Sequence, residues 1–98
     1  MTVRIEIFYS PICPYCSEAK RILLEALEEV KGESLLEEVN VFSTEGLERA
    51  KRYGIISVPA IVIENKYKMI DVPRKENILR RIEQNLTIAT HSRKEEKN

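Results

Sequence analysis

The chain has 98 residues, 43% of them hydrophobic, which is enough for one small domain with a modest core. Its 16 basic side chains balance 16 acidic ones, and a formal net charge of zero argues against a nucleic-acid or membrane-surface role, since each wants a basic excess. No apolar run approaches the ~20 residues that a membrane-spanning helix requires.

The chain enters a strand at once. Met1-Thr2-Val3-Arg4 carries no apolar targeting region, and a cytoplasmic location is expected. Val3, Ile5 and Ile7 alternate with Arg4, Glu6 and Phe8, the two-residue period of a β-strand. Past Ser10-Pro11-Ile12-Cys13-Pro14-Tyr15-Cys16 the period changes. Ala19, Ile22, Leu23, Ala26, Leu27 and Val30 then make one helical stripe. This predicts a helix from about Pro14 to Lys31, with Gly32 as its stop and Lys31 at the negative end of its dipole. Leu35 to Phe42 holds a second strand, centred on Val39 to Phe42. Ser43 or Thr44 caps a short helix whose Leu47 and Ala50 face inward and which Gly54 ends. Strand, helix, strand and helix in this order predict parallel strands joined by a crossover.

Ile61-Val62-Ile63 is all apolar and reads as a fully buried strand. Pro59 cannot donate to a sheet ladder and belongs just ahead of it. Asn65 supplies turn chemistry, and Tyr67 to Asp71 returns as a hairpin partner. Pro73 opens a last helix with Ile78, Leu79, Ile82 and Leu86 on its inner stripe. Beyond Leu86 the pattern fades, because Thr87, Ile88 and Thr90 are poor helix formers, and Ser92 to Asn98 is entirely polar. The expected architecture is an α/β domain of residues 1–90, ordered β-α-β-α-β-β-α, with a polar, frayed tail at 91–98.

Cys13 and Cys16 are the only cysteines, and they sit at the first strand-to-helix junction. In a chain with no secretory signal, that context reads as redox chemistry rather than a structural staple. If Cys13 is the helix N-cap, Pro14 occupies the first helical position, where a missing N–H costs nothing. The N–H groups of Tyr15 and Cys16 then point back at the sulfur. Two donors and the positive end of the helix favour a thiolate, so the Cys13 pKa is expected below the free value of ~8.5. Cys16 follows one turn later at the head of the apolar stripe. It is expected to be the more buried sulfur, close enough to bridge with Cα atoms ~5.5 Å apart.

Two motifs together identify a family. Cys13-Pro14-Tyr15-Cys16 after a strand resembles the active-site tetrapeptide of glutaredoxins. Tyr53-Gly54-Ile55-Ile56-Ser57-Val58-Pro59-Ala60 resembles the thioredoxin stretch that leads into a cis-proline loop. From Val3 to Leu86 the chain is similar to the thioredoxin/glutaredoxin superfamily, in particular to the small thioredoxin/glutaredoxin-like proteins of archaea. The resemblance implies a thioredoxin fold, a four-stranded mixed sheet with helices on both faces. It also implies a monomeric thiol–disulfide oxidoreductase that reduces protein disulfides without a cofactor. Cys13 and Cys16 would be catalytic, with Pro14, Tyr15, Val58 and Pro59 beside the substrate. A cis Val58-Pro59 bond facing Cys13 would hold Val58 extended, so that its backbone pairs with a substrate strand.

Two of the chain's departures from the family bear on its chemistry. Ile7 stands where thioredoxins usually bury an aspartate, six residues before the first cysteine. Asp71-Val72-Pro73 stands where glutaredoxins carry the Gly-Gly pair that holds glutathione. A thioredoxin-reductase-like flavoprotein is therefore expected as electron donor, with a glutathione-dependent glutaredoxin as the alternative. Two readings of other classes compete. A CxxC pair can supply half of a zinc or iron–sulfur site, but zinc needs two more ligands and the chain offers only His91. The fold can also serve as a binding module without redox turnover, against which the intact CxxC argues.

Overall fold

The sheet is built outward from β1 (Thr2–Tyr9). β2 (Glu33–Asn40) pairs with it in parallel, with Ile7 beside Glu38 and Tyr9 beside Asn40. On the other side β3 (Ala60–Ile63) runs antiparallel, with Phe8 beside Ala60. β4 (Tyr67–Ile70) closes the hairpin and the order β2-β1-β3-β4. Glu64 and Asn65, both at positive φ, make the tight turn between β3 and β4. Three helices cover this sheet: α1 (Cys16–Glu29), α2 (Thr44–Tyr53) and α3 (Lys75–Lys94). The computed structural model describes residues 2–30 and 32–94, with side chains described as far as residue 84.

Apolar cores on both sheet faces explain the strand compositions. Val3, Ile5 and Ile7 of β1 and Ile61 and Ile63 of β3 pack under Ala19, Leu23 and Ala26 of α1 and Ile78 and Ile82 of α3. On the opposite face Phe8, Ala60 and Val62 pack with Val39, Ile55 and Ala50 of α2. All four residues of β3 are buried, as a strand covered on both sides requires. The mixed four-stranded sheet, with helices on both faces in the order β-α-β-α-β-β-α, is the expected fold.

Several boundaries differ from the sequence expectation. β2 ends at Asn40, two residues before Phe42, because side chains take over the backbone there. Asn40 Oδ1 accepts from the Phe42 N–H at 2.9 Å, and the Ser43 hydroxyl donates to the Asn40 carbonyl at 2.7 Å. The same hydroxyl oxygen accepts from the Gly46 N–H at 2.9 Å, which makes Ser43 the cap of α2. Leu47 is exposed; Gly46 and Ala50 face the sheet instead. A Cβ on Gly46 would run into the Asn40 carbonyl, so the close approach of helix to strand requires glycine. Gly54, at φ 73°, caps the C-terminus of α2.

α1 stops at Glu29, where the Val30 N–H reaches the Leu27 carbonyl, and Gly32 takes φ 102° in the turn to β2. α3 starts at Lys75 rather than Pro73, with the Arg74 carbonyl accepting from Asn77 and Ile78. Its backbone continues to Lys94, past the fading of the apolar pattern. Lys31, the side chains of Leu86 and His91, and residues 95–98 lie outside the described residues.

Candidate active site

The two cysteines follow the C-terminal end of β1. The Cys13 N–H turns back onto the Ser10 carbonyl at 3.2 Å, so Pro11 to Tyr15 form a tight loop before the helix. The first residue of α1 is Cys16, with Tyr15 in the N-cap position and its carbonyl accepting from Ala19 at 3.1 Å. Cys13 is therefore not the cap, and Pro14 is not the first helical residue. The backward hydrogen bond of Cys13 delays the helix by two residues, and no side chain caps it. A disulfide joins Cys13 to Cys16 with Cα atoms 5.5 Å apart. Cys16 is 7% exposed, whereas Cys13 is half-buried at the loop surface.

Exposed apolar side chains stand on the loops at this end of the sheet. Ile12, Tyr15 and Ile56 are 76%, 61% and 96% exposed. Pro14 is exposed beside them. The Val58-Pro59 bond is cis. Because Ala60 lies beside Phe8, Pro59 sits at the end of the sheet from which the Ser10–Cys16 loop emerges. Pro59 itself is buried and its carbonyl accepts from the Asp71 N–H at 2.9 Å. Val58 packs half-buried on the Phe8 side of the core. Among the described residues, none exchanges a backbone hydrogen bond with Val58.

A cavity of about 380 Å³ opens beside the disulfide. Ile7, Ser10, both cysteines, Lys20 and Glu38 are among the residues that line it. Lys20 Nζ lies 2.9 Å from Glu38 Oε2. Sequence reasoning missed this pair. Lys20 had a signal, four residues after Cys16 and so one turn along the same helix face. Glu38 had none, because only the β1–β2 register carries it next to Ile7.

A second polar cluster lies on the α2 face. Glu6 is 3% exposed, although the alternation of β1 grouped it with Arg4. It accepts from Arg49 Nη1 at 3.1 Å and from the Tyr53 hydroxyl at 2.7 Å, and the Asn65 side-chain amide lies 2.8 Å from that hydroxyl. Burial and the hydrogen bond to Glu6 push the Tyr53 phenol up to about 12. The hydrogen bond to Glu37 raises the Arg49 guanidinium pKa, with Glu6 adding to it. These groups satisfy one another and hold α2 on the sheet. Among the described residues, no group of three metal-ligating side chains forms, and no helix is long and apolar enough to cross a membrane.

Comparison with known proteins agrees with this geometry. A sequence model of the thioredoxin domain matches residues 3–83. The thioredoxin of Methanocaldococcus jannaschii is 39% identical over 84 residues, covering 86% of this chain and 96% of its own. A probable thioredoxin of Methanothermobacter thermautotrophicus is 34% identical over 82 residues, covering 84% and 94%. A probable thioredoxin of Archaeoglobus fulgidus is 38% identical over 71 residues, covering 72% and 76%. The solved structure of thioredoxin-2, a component of malaria parasite protein secretion machinery, matches with a TM-score of 0.70 at 18% identity, over 85% of this chain and 82% of that one, a likeness of fold. A dithiol pair bridged at the end of a central strand, beside a cis-proline and within a sequence so matched, leaves one family: the chain belongs to the thioredoxins, and it is a thiol–disulfide oxidoreductase.

Proposed function

We propose that Cys13 is the attacking cysteine and Cys16 the resolving one, acting on disulfides of protein substrates. The Cys13 thiolate attacks one sulfur of a substrate disulfide, and the other substrate sulfur leaves with the bonding electron pair and takes up a proton. Cys16 then loses its proton and attacks Cys13. The mixed disulfide breaks, the second substrate thiol is released, and the Cys13–Cys16 disulfide remains. The observation that carries this order is the difference in exposure: Cys13 meets solvent at the loop, while Cys16 is buried behind it.

An extended substrate segment finds two kinds of support beside Cys13. Ile12, Tyr15 and Ile56 offer exposed apolar contact, and the unpaired backbone groups of Val58 offer strand-type hydrogen bonds. Pro14 and Pro59 shape the two sides of that surface. The same surface suits a flavoprotein reductase as electron donor better than it suits glutathione. A small anionic peptide needs free backbone or cationic donors. Here the Asp71 N–H is already taken by Pro59, Pro73 has no N–H, and Arg49 is committed to Glu6 and Glu37. Reduction of disulfides fits a reducing compartment, so we assign the protein to the cytoplasm, with the chemistry inside residues 1–90 and the 91–98 tail outside it.

Insulin reduction tests the assignment. Cys16→Ser is expected to accumulate a mixed disulfide at Cys13, and Cys13→Ser to abolish exchange. Full turnover of Cys16→Ser on insulin would overturn the order of roles. With the wild-type protein, a thioredoxin reductase is expected to drive faster turnover than glutathione. Saturable turnover with glutathione and none with the reductase would reverse the choice of donor.

A further inference from the structure

Resolution requires Cys16 to lose a proton in a nearly buried position. A buried thiol holds its proton more tightly than a free one, and near neutral pH it needs an acceptor close by. Ile7, which lines the cavity beside Cys16, can accept nothing. Among the described residues, the only carboxylate lining that cavity is Glu38. We propose that Glu38, positioned by Lys20, is the proton relay for Cys16. The inference rests on the assignment of Cys16 as the resolving cysteine.

Three features of the fold bring the relay together. Lys20 stands four residues after Cys16, so its side chain leaves α1 on the face that carries the sulfur. Glu38 lies beside Ile7 in the parallel register of β1 and β2, with Leu36 of the same strand face packed on the α1 side of the sheet. Both members of the 2.9 Å ion pair line the cavity that Cys16 also lines; they stay partly exposed at its rim, and the cavity has room for water. The proton passes from Cys16 Sγ to Glu38, directly or through one water. The Cys16 thiolate then forms the bond to Cys13, the bond from Cys13 to the substrate breaks, and the substrate thiolate departs with the electron pair. The relay returns its proton to that thiolate or to water, so the dithiol has given two electrons and two protons in all.

The titratable groups lining the cavity are Tyr9, Cys13 and Cys16 on the β1 side and its loop, with Lys20 on α1 and Glu38 on β2. An aromatic disulfide probe, dithiobis(nitrobenzoate), separates the two steps. One coloured thiolate is released when Cys13 attacks, and a second when Cys16 resolves. At pH 7, Glu38→Gln is expected to slow the second release roughly tenfold or more, in line with the usual contribution of a general base, and to leave the first unchanged. The deficit should narrow only as the pH rises beyond the free thiol value of ~8.5, where hydroxide takes over the deprotonation of the more tightly held Cys16 proton. Glu38→Asp should restore part of the rate. Lys20→Met should slow the second release by a smaller factor than Glu38→Gln. Glu37→Gln, on the opposite sheet face, should change neither release. An unchanged second release in Glu38→Gln, or equal slowing of both releases, would overturn the relay. Two releases from Cys16→Ser would instead overturn the assignment of the resolving cysteine.

Discussion

Tyr53 ties the alkaline stability of this protein to one partly buried hydrogen bond. Its phenol is pushed from 10.0 up to about 12 by burial and by donation to Glu6. A group whose folded pKa is raised binds its proton more tightly in the folded state. Its contribution is therefore complete below pH 10 and is lost as the pH climbs through 12. At about 1.4 kcal/mol for each pH unit between those values, the ceiling is about 2.7 kcal/mol. The phenol is only half-buried, and water screens it, so a loss of roughly 1 kcal/mol by pH 11 is expected. Tyr53→Phe removes this dependence and leaves Glu6 Oε1 without its partner, at a cost of about 1–3 kcal/mol near neutrality. Urea unfolding of both proteins at pH 8, 10 and 11 gives the comparison, and subtracting one from the other cancels the titration of surface lysines. The stability gap should narrow by roughly 1 kcal/mol between pH 8 and pH 11. A gap that stays constant would show that the Tyr53 proton is not held by the fold.

Reduced protein treated with iodoacetamide at neutral pH should be alkylated first at Cys13, and peptide mass mapping that finds Cys16 labelled faster would remove the basis for their roles. Gly46→Ala should destabilise by about 2 kcal/mol despite alanine's better helix propensity, because the added Cβ meets the Asn40 backbone; an unchanged urea midpoint would contradict that contact. Arg49→Met should cost about 3 kcal/mol by leaving the Glu6 carboxylate buried with one neutral partner, and a neutral result in thermal unfolding would show that the ion pair does not hold α2 on the sheet.

Apolar patterning located every strand and helix, because a strand buried on one face and a helix buried along one stripe leave regular apolar marks, and β3, buried on both faces, leaves an unbroken apolar run. What it mislaid were boundaries set by single side chains. Val41 and Phe42 look like the end of a strand, yet the Asn40 and Ser43 side chains bind the backbone first and turn it. Cys13-Pro14 looks like the first helical turn, yet the Cys13 N–H is drawn back to Ser10. The two cysteines and the cis-proline were legible because they sit in contiguous motifs. Glu38 was not, because it meets Ile7 only through strand pairing, thirty-one residues along the chain. Glu6 misled for a related reason. The alternation of β1 groups it with Arg4, but the face it shares with Phe8 is covered by α2, so its charge is met inside rather than in water.

The outer strands of the sheet bear on self-association. A protein that offers open backbone groups to extended segments of other chains risks offering its own edges to copies of itself. Both edges here are guarded. β2 carries Glu33, Glu37 and Glu38, so two such strands brought side by side would set carboxylate against carboxylate. β4 is only four residues long, and its exposed Lys68 reaches back to the Tyr53 carbonyl. Strand addition is thereby discouraged along both flanks of the sheet, whereas at the cis-proline loop the backbone groups of Val58 stay open.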